Sequence, residues 1–495
     1  MADLVLGLDV STTATKAILV DGSGAVRGIG TAEYGYETPR PLWTEQDPAL
    51  WWTATGSAVR AALAAAAAAG DEVRAVGLTG QMHGAVLLDA ADRPLRPAIL
   101  WNDQRTGAEC EAIRTAVGAE RLVQITGNDA ITGLTAPKLL WVRAHEPEVW
   151  SRVATVLLPK DFVRLQLTGT RALDKADGSG TGLFDLAARD WSAEVLSALQ
   201  LDPGLLPPTF EGPQVTGALT ATAAAATGLH AGTPVVAGGG DQAANAVGVG
   251  ALDPGVVALS LGTSGVVFAA TDLPIVEARG RVHAFCHAVP DRWHLMSVML
   301  SAAGSLRWFR DALAPGIGFD ELVAEAETIP AGSEGLFFLP YLTGERSPHP
   351  DPSARGGFIG LTVSHDRRHL TRAVLEGVAH GLRDGLDLMR AAGMPAPTVV
   401  RASGGGVASP LWRQILADVL GVGIAGVGTT EGAAYGAALL AAPAGGLVAS
   451  VAEAVERAVH VEPLAEPGPD AARYAERHVL HRELYPALAA LYPRM

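Results

Sequence analysis

The stretch Leu4-Val-Leu-Gly-Leu-Asp9-Val-Ser11-Thr12-Thr13-Ala-Thr-Lys16-Ala-Ile-Leu-Val20-Asp21 reads as an apolar strand, a turn of hydroxyls following a carboxylate, and a second apolar strand. Short aliphatic runs joined by such a turn specify a hairpin. Working outward, Val256-Val-Ala-Leu-Ser260-Leu-Gly262-Thr263-Ser264-Gly265-Val-Val-Phe-Ala-Ala-Thr-Asp272 repeats the plan with a Gly-Thr-Ser-Gly turn. A second similarity pairs Pro234-Val-Val-Ala-Gly-Gly-Gly240 with Thr398-Val-Val-Arg-Ala-Ser-Gly404-Gly-Gly406, each a strand running into three glycines and then a helical segment. Helices are expected at 48–69, 137–145, 369–390 and 410–420, and their alternation with strands belongs to α/β layers. One hairpin near the start of each half predicts two similarly built domains, 1–250 and 251–495, with ligands in the cleft between them.

A chain of 495 residues with 48% apolar content has ample material for two cores. Its net charge of -15 opposes binding to a phosphate backbone, so nucleic acid is not an expected partner. The lysines are Lys16, Lys138, Lys160 and Lys175, and none sits between a Gly and a Ser or Thr. The chain therefore lacks the P-loop pattern, and any nucleotide must be held by other turns. Cys110 and Cys286 make neither a disulfide framework nor a four-thiolate metal site, which suits the reducing cytoplasm. The N-terminal run has no basic segment of the kind that precedes a signal peptide's apolar core. The uncharged stretch 432–452 is broken by Pro443-Ala-Gly-Gly446, so no membrane span is expected.

The turn after Asp9 offers successive backbone N–H groups and hydroxyls to an anion, beside a carboxylate able to hold a Mg²⁺-bound water. Gly262-Thr-Ser-Gly265 offers the same without the carboxylate. Either turn alone is an ordinary hairpin; two at matching points of a repeat read as a pair of anion-binding turns. Asp241 follows a strand end and opens a helix expected near Ala243, where it serves as a general base or as a helix N-cap. Gln81-Met82-His83-Gly84 places polar side chains at a strand's C-terminal end, where α/β folds bind ligands. Gly404-Gly405-Gly406-Val-Ala-Ser409 is a glycine turn that admits a flat ring to the backbone. His283, Cys286 and His287 lack zinc-site spacing, and there is no G-x-S-x-G elbow for serine hydrolysis.

Taken together these segments resemble the FGGY carbohydrate kinase family over nearly the whole chain. Gly7-Leu-Asp-Val-Ser-Thr-Thr13 is similar to that superfamily's first phosphate motif, Ser260-Leu-Gly-Thr-Ser-Gly265 to its second, and Gly404-Gly-Gly-Val-Ala-Ser409 to its adenosine motif. Thr135-Ala-Pro-Lys-Leu-Leu-Trp141, and Gly357-Phe-Ile-Gly-Leu361 followed by His369-Leu-Thr-Arg-Ala-Val-Leu-Glu376, resemble the family's longer signatures. Ile99-Leu-Trp101-Asn-Asp103, Leu158-Pro-Lys-Asp161 and Trp293-His-Leu-Met-Ser-Val-Met-Leu300 resemble its ketose-specific members.

The resemblance implies an α/β fold of two actin-like ATPase (ribonuclease H-like) domains, each with a mixed central sheet, and an active-site cleft between them. It implies ATP-dependent phosphorylation of a small sugar, D-xylulose at O5, with Asp241 as the base. Gln81, Met82, His83, Trp101, Asp103 and Gln242 would contact the sugar. Ser11, Thr12, Thr13, Lys16, Thr263 and Ser264 would face the phosphates, Gly405, Gly406 and Ser409 the adenosine, and Asp9 would position Mg²⁺. A cytoplasmic homodimer is the form common among such kinases. Two positions depart from the pattern: Ser11 stands where the family often has Gly, and Gln242 where ketose-specific members carry Asn and glycerol-specific ones Gln. Other readings are a family member acting on ribulose, glycerol or another polyol, an actin-like or chaperone-like ATPase without a sugar acceptor, and a non-catalytic sugar sensor.

Overall fold

The computed structural model describes residues 3–428 and 431–495, so the first two residues of the N-terminal run lie outside it. The opening hairpin forms as read: β1 (Leu4–Val10) pairs antiparallel with β2 (Ala14–Asp21), which pairs with β3 (Val26–Glu33). On the other side of β1 lie β4 (Val73–Gly80) and, beyond it, β5 (Val215–Ala218) and β6 (Pro234–Val236), in the order β5-β6-β4-β1-β2-β3; β7 (Gly239–Gly240) also pairs with β4. β4 runs parallel to β1, β6 and β7, which makes the sheet mixed.

The second sheet repeats this plan. β8 (Val256–Leu261) and β9 (Gly265–Thr271) form the hairpin; β10 (His283–Cys286) and β11 (Trp293–Met299) extend it; β12 (Val399–Ser403), β13 (Ile424–Val427) and β14 (Val461–Ala465) complete the order β10-β11-β9-β8-β12-β13-β14. β12 is parallel to β8, as β4 is to β1. The pairing of 234–240 with 398–406 is therefore corrected: β12 holds the place of β4, and β6 stands one strand further out. Their shared glycines answer a local demand instead. Gly238 (φ 77°) and Gly404 (φ 97°) both take left-handed backbone and pass so close to a neighbouring strand, at Leu78 and Leu261, that a Cβ would overlap a carbonyl oxygen.

Helix α1 (Pro48–Ala66) covers one face of the first sheet; it starts at Asp47, whose carboxylate accepts from Ala49 N–H, and stops short of 69 because Ala67 turns left-handed. Helix α2 begins at Asp241 itself (Asp241–Gly248), with Gly240 in the cap position, so Asp241 is not the N-cap. On the second domain α3 (Ala303–Leu313), α4 (Arg367–Ala391) and α5 (Pro410–Leu420) pack on the sheet, and Ser409 caps α5 by accepting from Trp412 N–H.

The halves are joined by close helix packing. The uncharged stretch from 432 forms α6 (Gly432–Ala441), which crosses over and lies on the first sheet beside α2. It can lie there because Gly7 and Gly77, register partners in β1 and β4, leave no side chain beneath the carbonyls of Ala434 and Ala437. Gly436 meets α2 in the same way, its missing Cβ being the space taken by the Ala244 carbonyl. Gly436→Ala is expected to destabilise the chain by roughly 1–3 kcal/mol, since backbone rather than a flexible side chain must yield; a melting temperature equal to the parent's would contradict so close an approach. No helix among the described residues is long and apolar enough to cross a membrane. Helix α7 (Ala471–Leu488) closes the chain against the second domain. Cys110 and Cys286 are buried and unpaired.

Candidate active site

Register brings the first set of side chains together. Asp9 at the end of β1 and Gly239 in β7 both stand opposite Thr79 of β4, and Val10 and Gly240 opposite Gly80. Ser11 to Thr13, Gln81 to His83, and Asp241 therefore all leave the sheet at one end. Ser11 keeps a negative φ, so the serine fits where a glycine was expected. Trp101 Nε1 donates to Thr12 Oγ1 (3.0 Å), Thr12 Oγ1 to Gln81 Oε1 (3.3 Å), and Gln81 Nε2 to Gln46 Oε1 (3.1 Å). Gln81 is thus a buried prop beneath the first turn and lines neither of the two cavities that follow.

A cavity of about 290 Å³ opens between the two sheets. Met82, His83, Trp101, Asp241 and Gln242 line it from the first half. The facing wall is the β9-β11-β10 meander: Val266 and Val298 are cross-strand partners, as are Met296 and His283, and Phe285 and Arg346 complete it. A second cavity, about 630 Å³, lies within the second domain, with Gly405, Gly406 and Ser409 on one side and Leu306, Val323 and Leu411 around it. The Gly262-Thr-Ser-Gly265 turn stands between the cavities: Thr263 lines the larger and Ser264 the smaller.

Two carboxylates in this region are poised to gain or lose protons. Burial pushes Asp241 up to about 6, held back by the backbone and side-chain hydrogen bonds from Gln242. Burial, then repulsion from Asp241, pushes Asp9 up to about 7 against the pull of Lys16. Asp9 Oδ1 is buried without a hydrogen-bond partner, the condition of a carboxylate that lacks a cation or a cation's water. The imidazoles stay neutral: burial first, then Lys138, pushes His83 down to about 3, and burial with Arg346 does the same to His283. His83 Nδ1 lies 2.7 Å from Gly180 O, a pure acceptor, so the proton is on Nδ1 and Nε2 accepts. At His283 the reasoning runs through Asn128, whose Nδ2 donates to two carbonyls; its Oδ1 is then the acceptor for His283 Nδ1–H, 2.8 Å away.

Asp103 and Thr13 stand apart from both cavities, and Lys16 and Ser409 have their polar groups engaged within the protein. Asp103 is fully buried and accepts from Arg105 and from Thr44 N–H, apart from both cavities. Thr13 lines a shallow depression with Ala14, Glu33 and Tyr34. Lys16 pairs with Glu431 at 3.1 Å, and the Ser409 hydroxyl caps α5.

The family model for the N-terminal domain of the FGGY family of carbohydrate kinases matches residues 4–248, and that for the C-terminal domain matches 257–445. The chain belongs to the FGGY family of carbohydrate kinases. It is 46% identical over 502 residues to a xylulose kinase of Escherichia coli (strain K12), covering 99% of this chain and 100% of that protein. A xylulose kinase of Klebsiella pneumoniae is 47% identical over 443 residues, covering 88% and 89%. Among solved structures, a "xyloylose kinase" from Brucella ovis superimposes with a TM-score of 0.92 at 42% identity, covering 99% of this chain and 100% of that one.

In this FGGY kinase two residues of the 135–141 signature have a visible task. Thr135 Oγ1 and Lys138 Nζ donate to the His83 carbonyl at 3.1 and 2.8 Å, holding a residue whose φ of 68° is strained for a non-glycine. The facing wall went unassigned by sequence reasoning, although the alternation Met296, Val298 and His283, Phe285 marks one face of each strand. Arg346 had no such signal; only the fold places it opposite Met82 and His83.

Proposed function

We propose that this FGGY kinase transfers the γ-phosphoryl group of ATP to O5 of D-xylulose, giving D-xylulose 5-phosphate and ADP in the cytoplasm. The observation that carries the reading is the Gly262–Gly265 turn, whose neighbouring residues Thr263 and Ser264 face the two cavities from one backbone. The large apolar cavity over Gly405 and Gly406 suits adenosine. The small cavity has a volume of the order of a pentose and carries the carboxylate.

The sugar lies against Met82 and the meander wall, its hydroxyls donating to the Nε2 atoms of His83 and His283 while Arg346 donates to a sugar oxygen. Asp241 takes the proton from the O5 hydroxyl as that oxygen attacks the γ-phosphorus in line. The hydroxyls and N–H groups of the two turns receive the charge that spreads over the phosphoryl oxygens, and positioning rather than covalent chemistry does most of the work. Mg²⁺, where bound, neutralises phosphate charge, and Asp9 with its unpartnered Oδ1 is the residue that would hold it or its water. The hydrophobic wall excludes water as a competing acceptor.

Initial rates of ADP release with Mg²⁺ and D-xylulose, L-xylulose, D-ribulose, glycerol or D-arabinitol test this. D-Xylulose is expected to give the highest kcat/KM; a clear preference for another acceptor would replace it, and ADP release unaffected by any acceptor would remove the kinase reading.

A further inference from the structure

Away from both cavities, α4 and α7 meet at a cluster of imidazoles and a carboxylate. Asp384, His478 and His481 are 6%, 3% and 1% exposed, and His380 is 2% exposed. His478 and His481 share one face of α7, one turn apart, as His380 and Asp384 do on α4. His478 Nε2 is 3.4 Å from Asp384 Oδ1, and His481 Nδ1 is 3.6 Å from Asp384 Oδ2. Neither nitrogen has a hydrogen-bond partner, nor has His481 Nε2. Buried ring nitrogens are rarely left so, and two of these, His478 Nε2 and His481 Nδ1, stand beside the same Asp384 carboxylate, the ligand atoms of the three residues lying within 4.8 Å of one another.

The spacing identifies its class. Zinc binds imidazole nitrogen and carboxylate oxygen at about 2.0–2.2 Å in tetrahedral geometry, which puts neighbouring ligand atoms about 3.4 Å apart. The separations of 3.4 and 3.6 Å, one to each oxygen of Asp384, are of that size and long for hydrogen bonds, so a small turn of the carboxylate brings one oxygen and both nitrogens around a single ion. A metal-bound histidine engages its other nitrogen with a neighbour, and His478 Nδ1 lies 3.2 Å from His380 Nδ1. Asp387 Oδ2, also 3.4 Å from His478 Nε2, stands beside the remaining position. Arg383 and Arg390 already stand 3.5 and 3.6 Å from Asp387, which leaves Asp384 as the carboxylate for the ion; the cation beside Asp384 itself, Arg482 Nε at 3.8 Å, is on a side chain 63% exposed and withdraws into solvent at little cost. The other buried acidic trio, Asp161, Asp174 and Asp177, differs: the Lys160 ammonium already fills it, 2.8 Å from Asp161 and 2.9 Å from Asp177.

We propose that Asp384, His478 and His481 bind one divalent transition metal of the zinc class, which fastens the C-terminal helix to the second domain. The site is structural, remote from phosphoryl transfer.

The test uses the full chain without a histidine tag, stripped with EDTA and dialysed against zinc. One zinc per chain is expected by mass spectrometry, with a melting temperature that rises on zinc addition. His481→Gln and Asp384→Asn should each lose the bound zinc and the rise, and His380→Ala should weaken affinity about 10–100-fold. Parental zinc content in both ligand variants, or none in the parent, overturns the proposal. Should the variants not fold, Co²⁺ added to the stripped parent decides: the visible bands of tetrahedral Co²⁺ support the site, and a spectrum of hydrated Co²⁺ alone refutes it.

Discussion

Asp241→Asn is expected to lower kcat by about 10²–10⁴-fold, the contribution usual for a general base, while ATP still binds. The amide keeps the shape of the side chain and its contact with Gln242 but cannot take the O5 proton. Steady-state kinetics with D-xylulose, paired with a nucleotide-binding titration, separate this from misfolding; near-parental turnover would remove Asp241 from its role. The parent's pH profile carries the same information. With the carboxyl raised to about 6, the base is charged above that value and protonated below it, so kcat/KM should fall as pH drops through about 6. In Asp241→Asn that limb should flatten.

Asp9→Asn is expected to cost roughly 10³-fold in kcat, corresponding to several kcal/mol of transition-state charge stabilisation. Burial, and then repulsion from Asp241, push its carboxyl up to about 7 against the pull of Lys16. Removing one charge leaves the base in place and weakens the hold on Mg²⁺. The half-saturating Mg²⁺ concentration should therefore rise along with the loss of rate. Parental values for both quantities would show that Asp9 serves only the hairpin.

The hairpins were legible because everything they need is local: aliphatic alternation and a hydroxyl turn within eighteen residues. The triple glycines misled for the same reason, since Gly238 and Gly404 record a tight passage over the neighbouring strand and say nothing of which strand that is. Asp103 looked like a sugar ligand by its place in a motif; its partners Arg105 and Thr44 come together only when 42–46 folds over 98–105. The facing wall was hidden by ordinary chemistry. Met296, Val298 and Phe285 are residues any core would use, and a cavity wall differs from a core only by what is missing opposite it.

That wall has a consequence for how the acceptor is chosen. Asp241 is set by the main-chain pairing of Gly239 and Gly240 with Thr79 and Gly80, where no side chain intervenes. In the proposed binding mode one wall of the sugar cavity comes from the other half of the chain, on alternating positions of a three-stranded ribbon facing Met82 and His83. On that reading the base and one selecting wall are encoded in separate parts of the sequence, and changes at Val266, Met296 or Val298 are expected to redraw the acceptor range while Asp241 keeps its place.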